Sequence, residues 1–440
     1  KVVTSRKAGT MNHQESALPL ESLNSRIRSR FPMIDLDSLG QPRTYLNTGA
    51  GSLTVDTAAE AAREAQGRLN PMPGSVVAGE AATAALHARV RDVVADSLHA
   101  ENGAEVSFHQ SATAALFGLA FGLRGVLQPS SNLVVTDLDH MANVSPWETV
   151  WGEGRGAEVR RARITSEGTL DIGHLLSLID TRTGLLALTS ASNGTGSVVR
   201  LPEVVAEVRR VAPDCLVVVD AVHHAPHGVI DVLASDVDFL VFSGYKVFGP
   251  MLGVLWGRPG LLEKLRPYRV ETNKDVLPGK FEMGMLNNAS LAALEAALDY
   301  LLWLAGLLSG PAAVPVDRAS RFRAVMTAIA EYETGLTRRI LEGLLGLDRA
   351  RFRLFGISDP LRSGERVPTF AFEVAGLTAT ETKQRLWSEA GIQIADGNHY
   401  SAAVVRHLGR PEGICRASFA HYDNPATADL FLEAVRRIIG

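Results

Sequence analysis

The chain has 440 residues, 46% hydrophobic and 21% charged, the balance of a globular enzyme with room for one large domain and a smaller one. A net charge of −4 and a pI near 6.3 leave no electrostatic footprint for nucleic acid or an anionic membrane. Two cysteines, Cys215 and Cys415, are too few for a disulfide framework and fit a reducing, cytoplasmic setting.

In chain order, residues 1–19 read as a flexible leader without a signal-peptide pattern, in which Met11 is a candidate internal start. Residues 20–54 form an N-terminal segment. From 55 to 305, short apolar runs alternate with helical patterns. "EVSFH", "NLVVTD", "GLLALTS", "CLVVVD" and "DFLVFS" are predicted strands buried on both faces, and Leu201–Ala212 has helical periodicity. That alternation predicts an α/β domain built on a large, mostly parallel sheet covered by helices. "LAALEAALDYLLWLAGLL" is interrupted by Glu295 and Asp299, so it is predicted as an amphipathic core helix and not a membrane span. A Gly/Pro/Ala-rich stretch at 306–318 predicts a linker. Residues 319–440, with a long helix, strands near "TFAFEV" and "RASFAHY" and a final helix, predict a small α+β domain. There are no internal repeats.

Ligands of open α/β sheets bind beyond the carboxyl ends of the strands, so the residues that follow each strand carry the functional reading. Those residues include Ser111, Ala112 and Thr113, then His140, Asn193, Asp220 with His223, and Ser243 with Tyr245 and Lys246. Lys246 stands out, because only 7 of the 44 basic residues are lysine and no other falls between Lys7 and Lys264. A snorkelling lysine at a strand end and an amine made nucleophilic by desolvation both fit it. An aldehyde cofactor such as pyridoxal phosphate needs an amine, an anion beside its pyridine nitrogen, a phosphate cradle and a flat group against its ring. Lys246 supplies the first. Asp220 supplies the second, or caps a helix. The helix opening at Ala112–Thr113 supplies the third, with plain capping by Ser111 as the other reading. His140 lies on the ring or is solvated. His223, His224 and His227 cluster without the thiol or carboxylate companions of a metal site, so no metal is expected.

With these residues in place, the chain resembles the fold-type I pyridoxal-phosphate enzymes of the class V aminotransferase group, in the cysteine desulfurase-like branch. The resemblance runs from "YLNTGAGSLT" near residue 45 to the last helix. It is densest in "LDHMANVSPW", "SASNGTGSV", "VDAVHHAPHGVIDV", "SGYKVFGP", "FEMGMLNN" and "CRASFAHYDN". It implies that Lys246 bonds the cofactor's aldehyde, Asp220 pairs with the pyridine nitrogen and His140 packs on the ring. Asn193 and His223 would stand near the phenolic oxygen, and Ala112, Thr113, Ser243 and Tyr245 near the phosphate. Arg416 would clamp the substrate's α-carboxylate, a bidentate task suited to guanidinium. Asn47, Gly49 and Ala50 would line the substrate side. The "FEMGMLNN" loop implies a homodimer with shared sites, Met285 standing where a threonine hydroxyl is usual.

One departure bears on the reaction. Desulfurases of this branch carry a persulfide-forming cysteine on a mobile loop, and the matching stretch, "IADGNHYSAA", has Tyr400 there. His399 and Tyr400 are then candidates for acid–base work or for shaping the substrate pocket, or else form a buried packing pair. The expected reaction on an amino-acid substrate is C–S bond cleavage by β-elimination of an S-substituted cysteine, with a natural-product role. Decarboxylation-coupled oxidative deamination, transamination and epimerisation are the alternatives on the same scaffold. A non-catalytic binding protein would have no use for Lys246, Asp220, His140 and Arg416 together.

Overall fold

A computed structural model describes residues 18–69, 71–128, 130–309 and 317–440. In chain order its strands are β1 (Thr44–Tyr45), β2 (Val106–His109), β3 (Asn132–Thr136), β4 (Val159–Ala162), β5 (Thr183–Thr189), β6 (Leu216–Asp220), β7 (Phe239–Ser243) and β8 (Gly253–Gly257). They continue with β9 (Phe352–Phe355), β10 (Thr369–Val374), β11 (Ile392–Gln393), β12 (Ala395–Gly397) and β13 (Ile414–Ser418). Seven strands form one large sheet in the order β2-β8-β7-β6-β5-β3-β4. It is parallel from β7 through β4, while β8 runs antiparallel to both of its neighbours.

The large sheet is buried on both faces, which is why its strands read as unbroken apolar runs. Alternate side chains divide between two apolar layers. Leu185, Ala187, Val218 and Val241 face the helix Ala112–Gly122 with Trp147 and Trp151. Leu186, Leu188, Val217, Val219 and Leu240 face the helices Ala78–Leu98 and Asn288–Ser309. Each of the leucine and valine side chains contributes about 1.5–3 kcal/mol on full burial. Asn288–Ser309 is long and apolar enough to cross a membrane by length and composition, but Leu291, Leu294, Leu298 and Leu301 are enclosed in this core.

The second sheet is antiparallel, ordered β12-β13-β10-β9, and packs Phe370, Phe372 and Phe419 against the closing helix Pro425–Ile439. β1 pairs in parallel with β11, tying the N-terminal segment to this region. The expected α/β fold is therefore present, with two differences of extent. Residues 306–309 of the expected linker complete the Asn288–Ser309 helix, while 310–316 lie outside the described residues. Asp317 already caps the next helix, Arg318–Leu345, accepting a hydrogen bond from the Ser320 amide. Residues 1–17 of the expected leader also lie outside the described residues.

Candidate active site

A cleft of about 960 Å³ opens where the large sheet's parallel strands end, closed on its other side by β12, the loop after it and β13. Five strands deliver a polar group at their carboxyl ends. β2 leads to Ser111 and the helix at Ala112, β3 to His140, β5 to Asn193, β6 to Asp220 and β7 to Ser243, Tyr245 and Lys246. The N-terminal segment adds Gly49 and Ala50. A depression of about 870 Å³ at the opposite ends of the strands is rimmed in part by ion pairs, Arg209 with Asp236 and Asp238 among them.

Lys246 is buried, which rules out the snorkelling reading. Its ammonium donates to the Gly49 carbonyl and stands 5.3 Å from the Tyr245 ring centroid. Burial, reinforced by the Arg416 charge and opposed by Asp220, brings its pKa down to about 7. Asp220 is also buried, and burial lifts its carboxyl to about 6 against the pull of the Val222 amide and Lys246, so it is an anion at neutral pH. Its Oδ1 accepts from the Val222 amide at 2.9 Å, a turn contact that leaves Oδ2 for the cleft.

Arg416 reaches the cleft from β13. Its Nη1 donates to the Asn193 carbonyl at 2.8 Å, while Nε is buried without a hydrogen-bond partner. An unpaired guanidinium Nε is costly to bury, so this arginine is set up to receive an anion. Gly49 makes room for it, because a Cβ there would lie 2.9 Å from Arg416 Nε and 2.5 Å from Ser418 Oγ. His140 Nδ1 accepts from the Ala142 amide, and its ring is stacked on Tyr400, so it is not merely solvated. Burial, with Lys246 and Arg416 nearby, lowers its pKa to about 4 and keeps it neutral.

Ser111 caps its helix by accepting from the Ala114 amide at 3.1 Å, as its plain reading has it. The first amides of that helix have no intrahelical acceptor and face the cleft at Ala112 and Thr113. His223 is buried, with Nε2 3.0 Å from Thr369 Oγ1. His227, below it, pairs instead with Glu333, Nδ1 to Oε2 at 2.8 Å.

Two expectations need correction, on Asn47 and on the pair His399–Tyr400. Asn47 does not line the cleft. Its carbonyl accepts from the Ala50 amide and shapes the turn that presents Gly49 and Ala50. Met285 is exposed and does not line this chain's cleft, and its expected role concerns a second chain. His399 and Tyr400 are not a buried pair, since Tyr400 is 73% exposed and its ring partner is His140. The sequence reading also missed Phe117, Met141, Val222 and Pro411 in the lining, because Phe117 reads as one more apolar position of a helix and the other three are isolated apolar residues without a periodic signal. Asp139 was missed too. Buried next to His140 and held by Thr136 Oγ1 and Asn143 Nδ2, its carboxyl is raised to about 8 by burial.

A buried amine of lowered pKa, a buried carboxylate, a helix N-terminus and an unsatisfied guanidinium around one cleft define an enzyme that holds an anionic aldehyde cofactor and an amino acid. Comparison with known proteins agrees. The Aminotransferase class-V family profile matches residues 44–307 and 320–431. A cysteine desulfurase of Pectobacterium carotovorum is 31% identical over 432 residues, covering 94% of this chain and 97% of its own. One from Dickeya dadantii is 30% identical, covering 97% and 98%. Among solved structures, a cysteine desulfurase from Thermococcus onnurineus superimposes with a TM-score of 0.80 at 23% identity, covering 94% of this chain and 98% of that one. A C-DES mutant with glycine covalently linked to its PLP cofactor gives 0.73 at 18%, covering 93% and 98%. The chain belongs to the class V aminotransferase family, as a pyridoxal-phosphate-dependent enzyme of its cysteine desulfurase-like branch.

Proposed function

We propose that the protein cleaves the C–S bond of an S-substituted cysteine by β-elimination, consuming one water and releasing the thiol, pyruvate and ammonia. The observation that carries this reading is Tyr400, which stands on the loop where the resemblance places a persulfide cysteine. Neither cysteine substitutes for it. Cys215 is in the sheet core, and buried Cys415 directs its thiol to the Ala379 carbonyl; burial pushes both thiols up to about 12. Without a protein thiolate to receive sulfur, sulfur departs on the substrate's own substituent.

Bound in the cleft, pyridoxal phosphate withdraws electrons and acidifies the substrate's α-carbon. Lys246 would hold it, the Ala112–Thr113 amides with Ser243 and Tyr245 would receive its phosphate, and Asp220 would balance its ring charge. Arg416 fixes the α-carboxylate with the donors it has free. Lys246 Nζ, its pKa near neutrality, takes the α-proton and returns a proton to the departing sulfur. A homodimer and a specialised natural-product substrate belong to the same proposal. The exposed apolar residues Tyr268, Val270, Val276, Met283 and Met285 support the dimer.

The test is product analysis with S-substituted cysteines, in air and without oxygen. Equal thiol and pyruvate in both atmospheres, abolished in Lys246→Ala, is the expected result. Carbon dioxide with a shortened aldehyde, formed only in air, would replace this reading with oxidative decarboxylation.

A further inference from the structure

The loop that carries Tyr400 is held at many points. The Met141 amide donates to the Tyr400 carbonyl at 2.8 Å, and Asn193 Nδ2 donates to the His399 carbonyl at 2.7 Å. Ser401 Oγ donates to Asn193 Oδ1 at 2.5 Å, His399 Nε2 meets the Ile414 carbonyl at 3.0 Å, and Asn398 Oδ1 accepts from the Tyr400 amide at 2.9 Å. Both side-chain ends of Asn193 are thus committed to the loop, while its carbonyl holds Arg416. His399 and Tyr400 have φ of 53° and 56°, consecutive left-handed residues that persist only where the surroundings over-determine them. This is the geometry of a fixed wall and not of a swinging arm.

The Tyr400 ring rests on His140 with centroids 5.4 Å apart and planes 27° from parallel, makes no hydrogen bond, and leaves most of its surface open in a cleft it lines. Phe117, Met141, Ala142, Val222 and Pro411 share that lining. Lys246 and Arg416 together serve the groups every amino acid has, so the apolar lining and the open face of the Tyr400 ring are what remain to meet a side chain. We propose that Tyr400 is a specificity wall, and that the site selects amino acids carrying a bulky apolar or aromatic group beyond the β-carbon. For the elimination reading, on which this inference rests for its substrate, that group is the substituent on sulfur.

The test separates binding from chemistry by replacing sulfur with a methylene. Calorimetry on the holoenzyme compares norvaline with norvaline bearing a terminal phenyl group, neither of which can release a thiol. The phenyl analogue is expected to bind about tenfold more tightly through ring contact. Tyr400→Ala should abolish that preference and Tyr400→Phe keep it, both with unchanged melting temperature because the side chain is exposed. Ser401→Ala should reduce the preference and speed amide exchange across 398–401. Equal affinities in the parent enzyme, or a preference that survives Tyr400→Ala, overturn the proposal. Thiol release from S-benzylcysteine is scored separately: a phenyl preference without thiol sinks the elimination and leaves the wall, and thiol without a preference does the reverse.

Discussion

Lys246 shows how a single position becomes reactive. Its isolation among arginines marks it in the sequence, but its acidity comes from the fold, which buries it beside Arg416 with a backbone carbonyl as its hydrogen-bond partner. An ordinary lysine, near 10.5, is about 0.1% neutral at pH 7.5, whereas a group at about 7 is mostly neutral there. Because the pKa is lowered, the nucleophilic amine is present above pH 7 and lost below it. The rate at which apoenzyme takes up pyridoxal phosphate, followed by absorbance, should fall about tenfold per unit below pH 6 and level off above about 8. A rate still climbing between pH 8 and 10 would show an unperturbed lysine. Arg416 was legible only through the motif around it, whereas Asp220 was marked by its place at the end of a buried strand. That Arg416 keeps an unsatisfied Nε, and that both ends of the Asn193 amide are spent on a loop two hundred residues away, are facts of tertiary contact that no local pattern encodes.

Among the elements, the strands that were legible are those buried on both faces. β5, β6 and β7 are apolar along their length because helices cover both sides. β4, "VRRA", was not recognised, since it is an edge strand whose Arg160 and Arg161 pair with Glu158, Asp180, Asp137 and Glu148. β8, "GVLWG", was hidden by its two glycines. Gly253 is needed there, because a Cβ would fall 2.2 Å from the Ser111 carbonyl carbon and 2.6 Å from the Ala112 amide nitrogen. The strand therefore sets how close the helix N-terminus comes to the sheet, and backbone on both sides leaves nothing to yield. Gly253→Val should cost about 1–3 kcal/mol in thermal or urea unfolding. It should also weaken pyridoxal phosphate binding more than it weakens binding of pyridoxal, which lacks the phosphate. Equal losses for the two aldehydes would mean that this helix does not cradle the phosphate.

At the scale of the whole molecule, the cleft is a joint between three regions of the chain, so neither sheet holds a complete site. The segment at 44–50, the strand ends of the large sheet and β13 all contribute. That assembly was legible only as an ordered series of motifs, since the regions it joins lie up to some 370 residues apart, as Gly49 and Arg416 do. The proposed dimer extends the same logic to a second chain. Light scattering should return about twice the 47.2 kDa chain mass, and Met285→Glu with Met283→Glu should shift it toward the monomer. A parent protein that is monomeric at all concentrations would remove the shared-site proposal. The central claim, that sulfur departs as a free thiol on the substrate's own substituent and never on the protein, is tested most directly by intact-protein mass spectrometry during turnover of an S-substituted cysteine, with thiol, pyruvate and alanine counted in the same sample. The expected result is one thiol per pyruvate and a protein mass that never gains sulfur. Alanine in place of pyruvate, with the missing thiol found as a disulfide on Cys215 or Cys415, would contradict it, since transfer of the RS group to a protein thiolate leaves the carbon skeleton two electrons more reduced.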